Sequence, residues 1–229
     1  MATRIQLPRP PEALLEQWDV PLFARSEEME DFLRTCWIDG EVFPPEPFAH
    51  LQQARIGVLW AGTQAPVPHS GGRVTAGMAM IYEPRPAKRW IMDLQLWGMH
   101  QLFGYELPDF VLIFDAQWWA AELVSIASKL STATHELCHC GQAEDEHGSP
   151  KVVKTGPRRG QPVWCIRPHD IEQFNLPVRW FGAEAAHAAE LVAAVAAGAE
   201  MRETLREVFG CDIGEPEPWT CGTCGRRAA

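Results

Sequence analysis

No stretch of these 229 residues is apolar for long enough to cross a bilayer, which takes roughly 20 consecutive apolar residues. The longest alanine-rich run, Ala183 to Ala197, is broken by Glu184, His187 and Glu190, as in a packed helix, so no membrane partner is expected. Met1 to Pro11 carry prolines and lack the apolar region of an export signal, which makes the cytoplasm the expected location. Positive charge is short too: 20 Lys and Arg stand against 30 Asp and Glu, a formal net charge of -10. That balance repels a phosphate backbone and removes nucleic acid from the expected partners. The basic residues between Lys151 and Arg159 are largely offset by Glu144, Asp145 and Glu146 and read as a solvated loop. No internal repeat is present, which excludes solenoids and propellers. Seven cysteines, an odd number, do not make a disulfide framework and point to reduced thiols or a metal.

The remaining composition, 46% apolar and 22% charged, is that of an ordinary globular chain long enough to bury a sizeable core. The 10 tryptophans are many and are expected to dominate packing where buried. From Pro11 to about Leu51 a helical pattern is broken by Pro21, Gly40 and the cluster Pro44, Pro45, Pro47, predicting short helices joined by loops. Arg55 to Trp60 and Val74 to Tyr82 read as strands joined by a Pro/Gly-rich hairpin loop, Gly62 to Gly72. Phe110 to Phe114 is the clearest strand. Asp115 can cap a following helix, which meets no Gly or Pro until Gly141. Its apolar residues Trp119, Leu123, Ile126, Leu130, Ala133 and Leu137 form a one-sided stripe. After a polar loop, a short apolar piece, Val163 to Ile166, precedes a helix expected near Pro168. A last alanine-rich helix, Ala183 to Phe209, is expected to pack across the domain, followed by an irregular tail.

Chemistry concentrates in His135-Glu136-Leu137-Cys138-His139. Two histidines four apart on a helix lie about 40 degrees apart around its axis and one turn apart along it, so both can grip one ion. Glu136 can then act as general base toward a bound water, whose pKa zinc lowers to about 7. Leu137 belongs to the apolar stripe on the opposite face, which argues against a pair of core histidines. Catalytic zinc keeps three protein ligands and an open position. The candidates for the third are His169 first, Glu172 as the alternative, and His147 in the polar loop. Asp170 or Glu172 can orient the imidazole of His169. Cys221-Gly-Thr-Cys224, with Cys211 ten residues before, is three-quarters of a second, structural zinc site or else a loose tail with free thiols. Cys138 and Cys140 read as small packing residues, and Trp118, Trp119, Trp164 and Trp180 as core.

The stretch from Asp109 to Gly182, with Phe110-Val-Leu-Ile-Phe-Asp115, the HELCH segment and His169-Asp-Ile-Glu-Gln-Phe174, resembles the putative phage metallopeptidase family. The likeness to SprT-like and other minimal zincins is looser and rests on the strand, helix and HExxH layout. Where the family pattern has Glu this chain has Gln173, a poor ligand. The resemblance implies an α+β, zincin-like fold: a small mixed sheet packed against an active-site helix carrying HExxH, with further helices C-terminal to it. It also implies a phage or prophage origin. In zincins a strand near the active-site helix receives the substrate backbone by edge pairing, and Val74 to Tyr82 is the expected edge.

Three regions are therefore expected: a helical elaboration over 1–50, a zincin-like domain over 51–210 and a cysteine-containing tail over 211–229. The expected protein is a zinc metallopeptidase acting on a protein or peptide in the cytoplasm of a bacterial host. The alternatives are a catalytically inactive, zinc-stabilised phage interaction or regulatory protein, and a metallohydrolase acting on a non-peptide bond.

Overall fold

The computed structural model describes residues 5–16, 22–62, 75–81, 89–169, 189–197, 204–210 and 220–221. It is a mixed α and β architecture built on a small mixed sheet. Helix α1 (Glu12–Glu16) precedes strand β1 (Phe23–Arg25), and Ser26, whose side chain accepts from the Met29 N–H, starts helix α2 (Glu27–Leu33). A π-helical turn, Arg34–Ile38, and a 3-10 helix, Glu46–Gln53, complete the short helices expected of this region. Then follow β2 (Ile56–Ala61), β3 (Thr75–Met80), α3 (Arg89–Phe103) and β4 (Phe110–Asp115).

Every residue of β4 is buried. Its unbroken apolar run suits a strand covered on both faces, where alternation would place polar groups in the core. One face, through Phe110, Leu112 and Phe114, meets Met29, Leu33 and Trp37 and, from a later helix, Leu130, Ala133 and Leu137. The other, through Val111 and Ile113, meets Phe103 at the end of α3 together with Met78 and Met80. Residues of α2 and the π-helical turn thus share one core with β2, β4 and the histidine-bearing helix.

Among the described residues the main sheet runs β1-β2-β4-β3-β7, with β7 at Thr220–Cys221. β2 and β4 are parallel, and β3 is antiparallel to β4. The expected hairpin between β2 and β3 is therefore corrected: β4 inserts between them, its unbroken apolar run suiting the centre of the sheet, where both faces are covered. Residues 63–74 of that connection lie outside the described residues. The expected edge is corrected as well, since β7 pairs with β3 over Thr75 and Gly77.

The single helix expected from Asp115 to Gly141 is two. Asp115 does cap a helix, accepting from the Trp118 N–H at 2.7 Å, but that helix, α4, ends at Ala120. Helix α5 begins anew at Ile126 and runs to His139, because Ser125 Oγ accepts the Ser128 N–H and offers the chain a fresh N-terminus. Lys129 donates to the Ala121 carbonyl that α4 leaves behind. Leu123, in the break, is 88% exposed and drops out of the stripe, while Trp119, Leu130, Ala133 and Leu137 are buried as expected.

After α5 come β5 (Cys140–Gln142) and β6 (Trp164–Ile166), an antiparallel pair. Arg167 to His169 continue without helical structure, and the helix expected beyond them lies outside the described residues. Of the long last helix, α6 (Ala189–Ala197) and a π-helical turn (Leu205–Phe209) are described. Residues 189–196 are exposed, so this part does not pack across the domain; alanine's helix propensity, rather than burial, accounts for it. Leu205 and Phe209 are buried. No helix among the described residues is long and apolar enough to cross a membrane.

Candidate metal centre

Helix α5 delivers His135, Glu136 and His139, and the segment that leaves β6 delivers a third imidazole. Cys140 opens β5 directly after the helix and pairs with Ile166. The next residues outward are therefore His139 and Arg167, and they bond twice: the Arg167 N–H donates to the His139 carbonyl at 2.8 Å, and His139 Nδ1 lies 2.7 Å from the Arg167 carbonyl. A carbonyl only accepts, so Nδ1 carries the proton and Nε2 keeps its lone pair. That is how an outer partner sets the tautomer of a metal-binding histidine. Two residues beyond Arg167 the chain places His169 over His135.

The three rings converge on one point. Nε2 of His135 lies 3.2 Å from Nε2 of His139 and 3.0 Å from Nε2 of His169, and one ligand atom from each residue lies within 4.8 Å of the others. A tetrahedral ion at Zn–N distances near 2.0–2.1 Å requires nitrogens about 3.3 Å apart. The donor set therefore fits a divalent metal of zinc's kind. Burial, followed by the nearby His139 and His169, lowers the pKa of His135 to about 4, so at neutral pH its lone pair is available.

The same crowding ties the metal-free protein's stability to pH. An ordinary histidine titrates at 6.5 while His135 takes its proton only near 4. Between those values the unfolded chain binds more protons, and acidification favours unfolding. The urea midpoint of the metal-free protein is expected to fall as pH drops from 6.5 towards 4, and to fall less in His135→Asn. Equal slopes would mean that the folded protein does not hold His135 below its ordinary pKa.

Glu136 is fully buried and faces β3. A Cβ placed on Gly77 would stand 2.9 Å from both Cγ and Oε1 of Glu136, so only glycine leaves the carboxylate this place against the strand. Burial, and then the charge of Glu136, push the Cys140 thiol well up, which keeps it protonated and no ligand. Cys140 is the small packing residue expected of it, whereas Cys138 is exposed.

Other candidates stand apart. His147 is exposed in a turn organised by Asp145, its ring 3.6 Å from Glu146, away from the three histidines. That turn accepts the His147 and Ser149 N–H groups on Asp145 Oδ1 and holds the loop outward. Asp170, Glu172, Gln173, Trp180, Cys211 and Cys224 lie outside the described residues, and of Cys221 only the backbone in β7 is described. Trp119 is core, its Nε1 donating to the Pro8 carbonyl, and Trp164 packs on Phe110.

Beside the histidines opens a cleft of about 1130 Å³ whose far wall was not foreseen. Trp37, Phe43, Pro47, Phe48 and His50 supply it. Trp37 reaches α5 by donating Nε1–H to Thr134 Oγ1 at 2.9 Å, across 97 residues of sequence. The prolines Pro44, Pro45 and Pro47 mark that segment as rigid, but nothing in their spacing ties it to the site.

A family model described as putative phage metallopeptidase matches residues 23–197, well over half of the chain. No curated protein and no solved structure matches it.

Proposed function

The chain belongs to the family described as putative phage metallopeptidases, and from that premise we propose a zinc-dependent peptidase of zincin-like fold, phage- or prophage-encoded and working in the bacterial cytoplasm. The observation that carries the reading is the convergence of three imidazole nitrogens on one point. His135, His139 and His169 hold the ion. Bound there, zinc supplies Lewis acidity, bringing a water's pKa to about 7 and polarising a peptide carbonyl. Glu136 takes the proton from the attacking water and returns it to the amide nitrogen that leaves. The Arg167 carbonyl holds His139 in the tautomer the site needs. Gly77 lets the carboxylate of Glu136 lie flat against β3.

Zinc-loaded protein is expected to cleave an unstructured protein such as casein, to stop when 1,10-phenanthroline strips the metal, and to resume when zinc is restored. Zinc-loaded protein that leaves a broad peptide mixture intact would remove the peptidase reading.

One feature favours a second reading, a zinc-stabilised interaction or regulatory protein without turnover. Glu136 has no exposed surface and is not among the residues lining the cleft. A general base must reach the water it deprotonates. On the first reading, binding of a peptide along the cleft gives it that access; on the second, the carboxylate is a structural partner only.

A further inference from the structure

We propose that the cleft beside the three histidines selects peptides carrying a large apolar side chain next to the bond to be cut, and rejects basic ones. The inference rests on the peptidase reading and adds the class of substrate to it. The floor of the cleft is one face of α5: Ala127, Leu130, Ser131, Thr134 and Cys138 recur every three or four residues and lead to His135 and His139. At 1.5 Å per residue that face runs on the order of 18 Å from Ala127 to the metal site, room for about five extended residues.

The opposite wall is aromatic. Trp37 and Phe43 stack at 4.5 Å with 28° between their planes, and Phe48 and Pro47 extend the surface. Three polar groups of this lining, on Trp37, Thr134 and His50, are already bonded within the protein. Trp37 Nε1–H donates to Thr134 Oγ1, and the Thr134 hydroxyl donates to the Leu130 carbonyl at 2.9 Å. His50 Nε2–H donates to the Cys140 carbonyl at 2.8 Å. Water in such a cleft finds few partners, and an apolar side chain displaces it favourably. Among the described residues no Asp or Glu lines the cleft, while Arg167 does. Among those residues a lysine or arginine side chain would meet one like charge and no counter-ion.

The test measures binding to zinc-loaded protein by calorimetry. One probe series is hydroxamates that differ in one substituent: methyl, benzyl or aminobutyl. A parallel series of capped peptides carries Gly, Phe or Lys and no chelating group. The benzyl and Phe probes are expected to bind at least tenfold more tightly than the methyl and Gly probes, the size of effect a well-filled apolar pocket gives. The aminobutyl and Lys probes are expected to gain nothing. Ser131→Glu, a change at an exposed position in the cleft, is expected to reverse that order by placing a carboxylate in the lining. Equal affinity across each series, or no change of order in Ser131→Glu, overturns the proposal. Loss of hydroxamate binding across the board with the capped peptides still discriminated overturns the metal reading alone.

Discussion

Glu136→Gln is expected to lower peptide hydrolysis by roughly a hundredfold to ten-thousandfold, the range general-base catalysis contributes, and to leave the zinc content unchanged. The amide keeps the shape of the carboxylate, so packing against Gly77 survives, but it cannot take a proton from water. Steady-state kinetics beside metal analysis of the same preparation make the measurement. Unchanged hydrolysis in the variant would take Glu136 out of the reaction. Gly77→Ala approaches the same step from the strand. Its Cβ would stand 2.9 Å from Cγ and Oε1 of Glu136, closer than carbon atoms pack, so the carboxylate has to move. Activity should fall with zinc retained, and the pH profile should shift with it, which loss of fold alone would not produce.

His169→Ala is expected to strip most of the zinc, with a loss of affinity beyond the roughly 10- to 100-fold that removing an outer partner costs. Glu172→Ala is expected to keep it. The contrast follows from position: Nε2 of His169 stands 3.0 Å from Nε2 of His135, inside the cluster, whereas with three imidazoles in place a further carboxylate could enter only at the position kept for water. Competition against a zinc-sensitive dye gives both affinities. Zinc retained by His169→Ala and lost by Glu172→Ala would reassign the third ligand. Because metal binding releases protons from imidazole, affinity in the parent protein is also expected to weaken as pH falls.

Much of this arrangement was legible in the sequence where it depends on local pattern. The spacing of His135 and His139, the apolar run of β4 and the placement of Leu137 opposite the histidines follow from helix and strand periodicity alone. His169 was legible as a candidate only. What brings it in is the register Cys140↔Ile166, a pairing between segments separated by a polar loop, and no residue in either strand announces its partner. The break between α4 and α5 was missed although its signal was present. Ser125 is a strong N-cap, but the absence of Gly and Pro before Gly141 outweighed it. The insertion of β4 between β2 and β3 was hidden because a Pro/Gly-rich connection suits a hairpin and a crossover equally. The wall of the cleft was least legible of all: Trp37, Phe43 and Phe48 come from short helices and turns remote from α5, and only tertiary packing brings them to it.

Metal analysis of the purified, unmodified protein, combined with X-ray absorption at the metal edge, tests the account most directly. One zinc per chain, with nitrogen from three imidazoles and oxygen completing the shell, is the predicted result. A chain that carries no metal and takes up none at micromolar zinc, or whose zinc is ringed by sulfur instead of nitrogen, contradicts it.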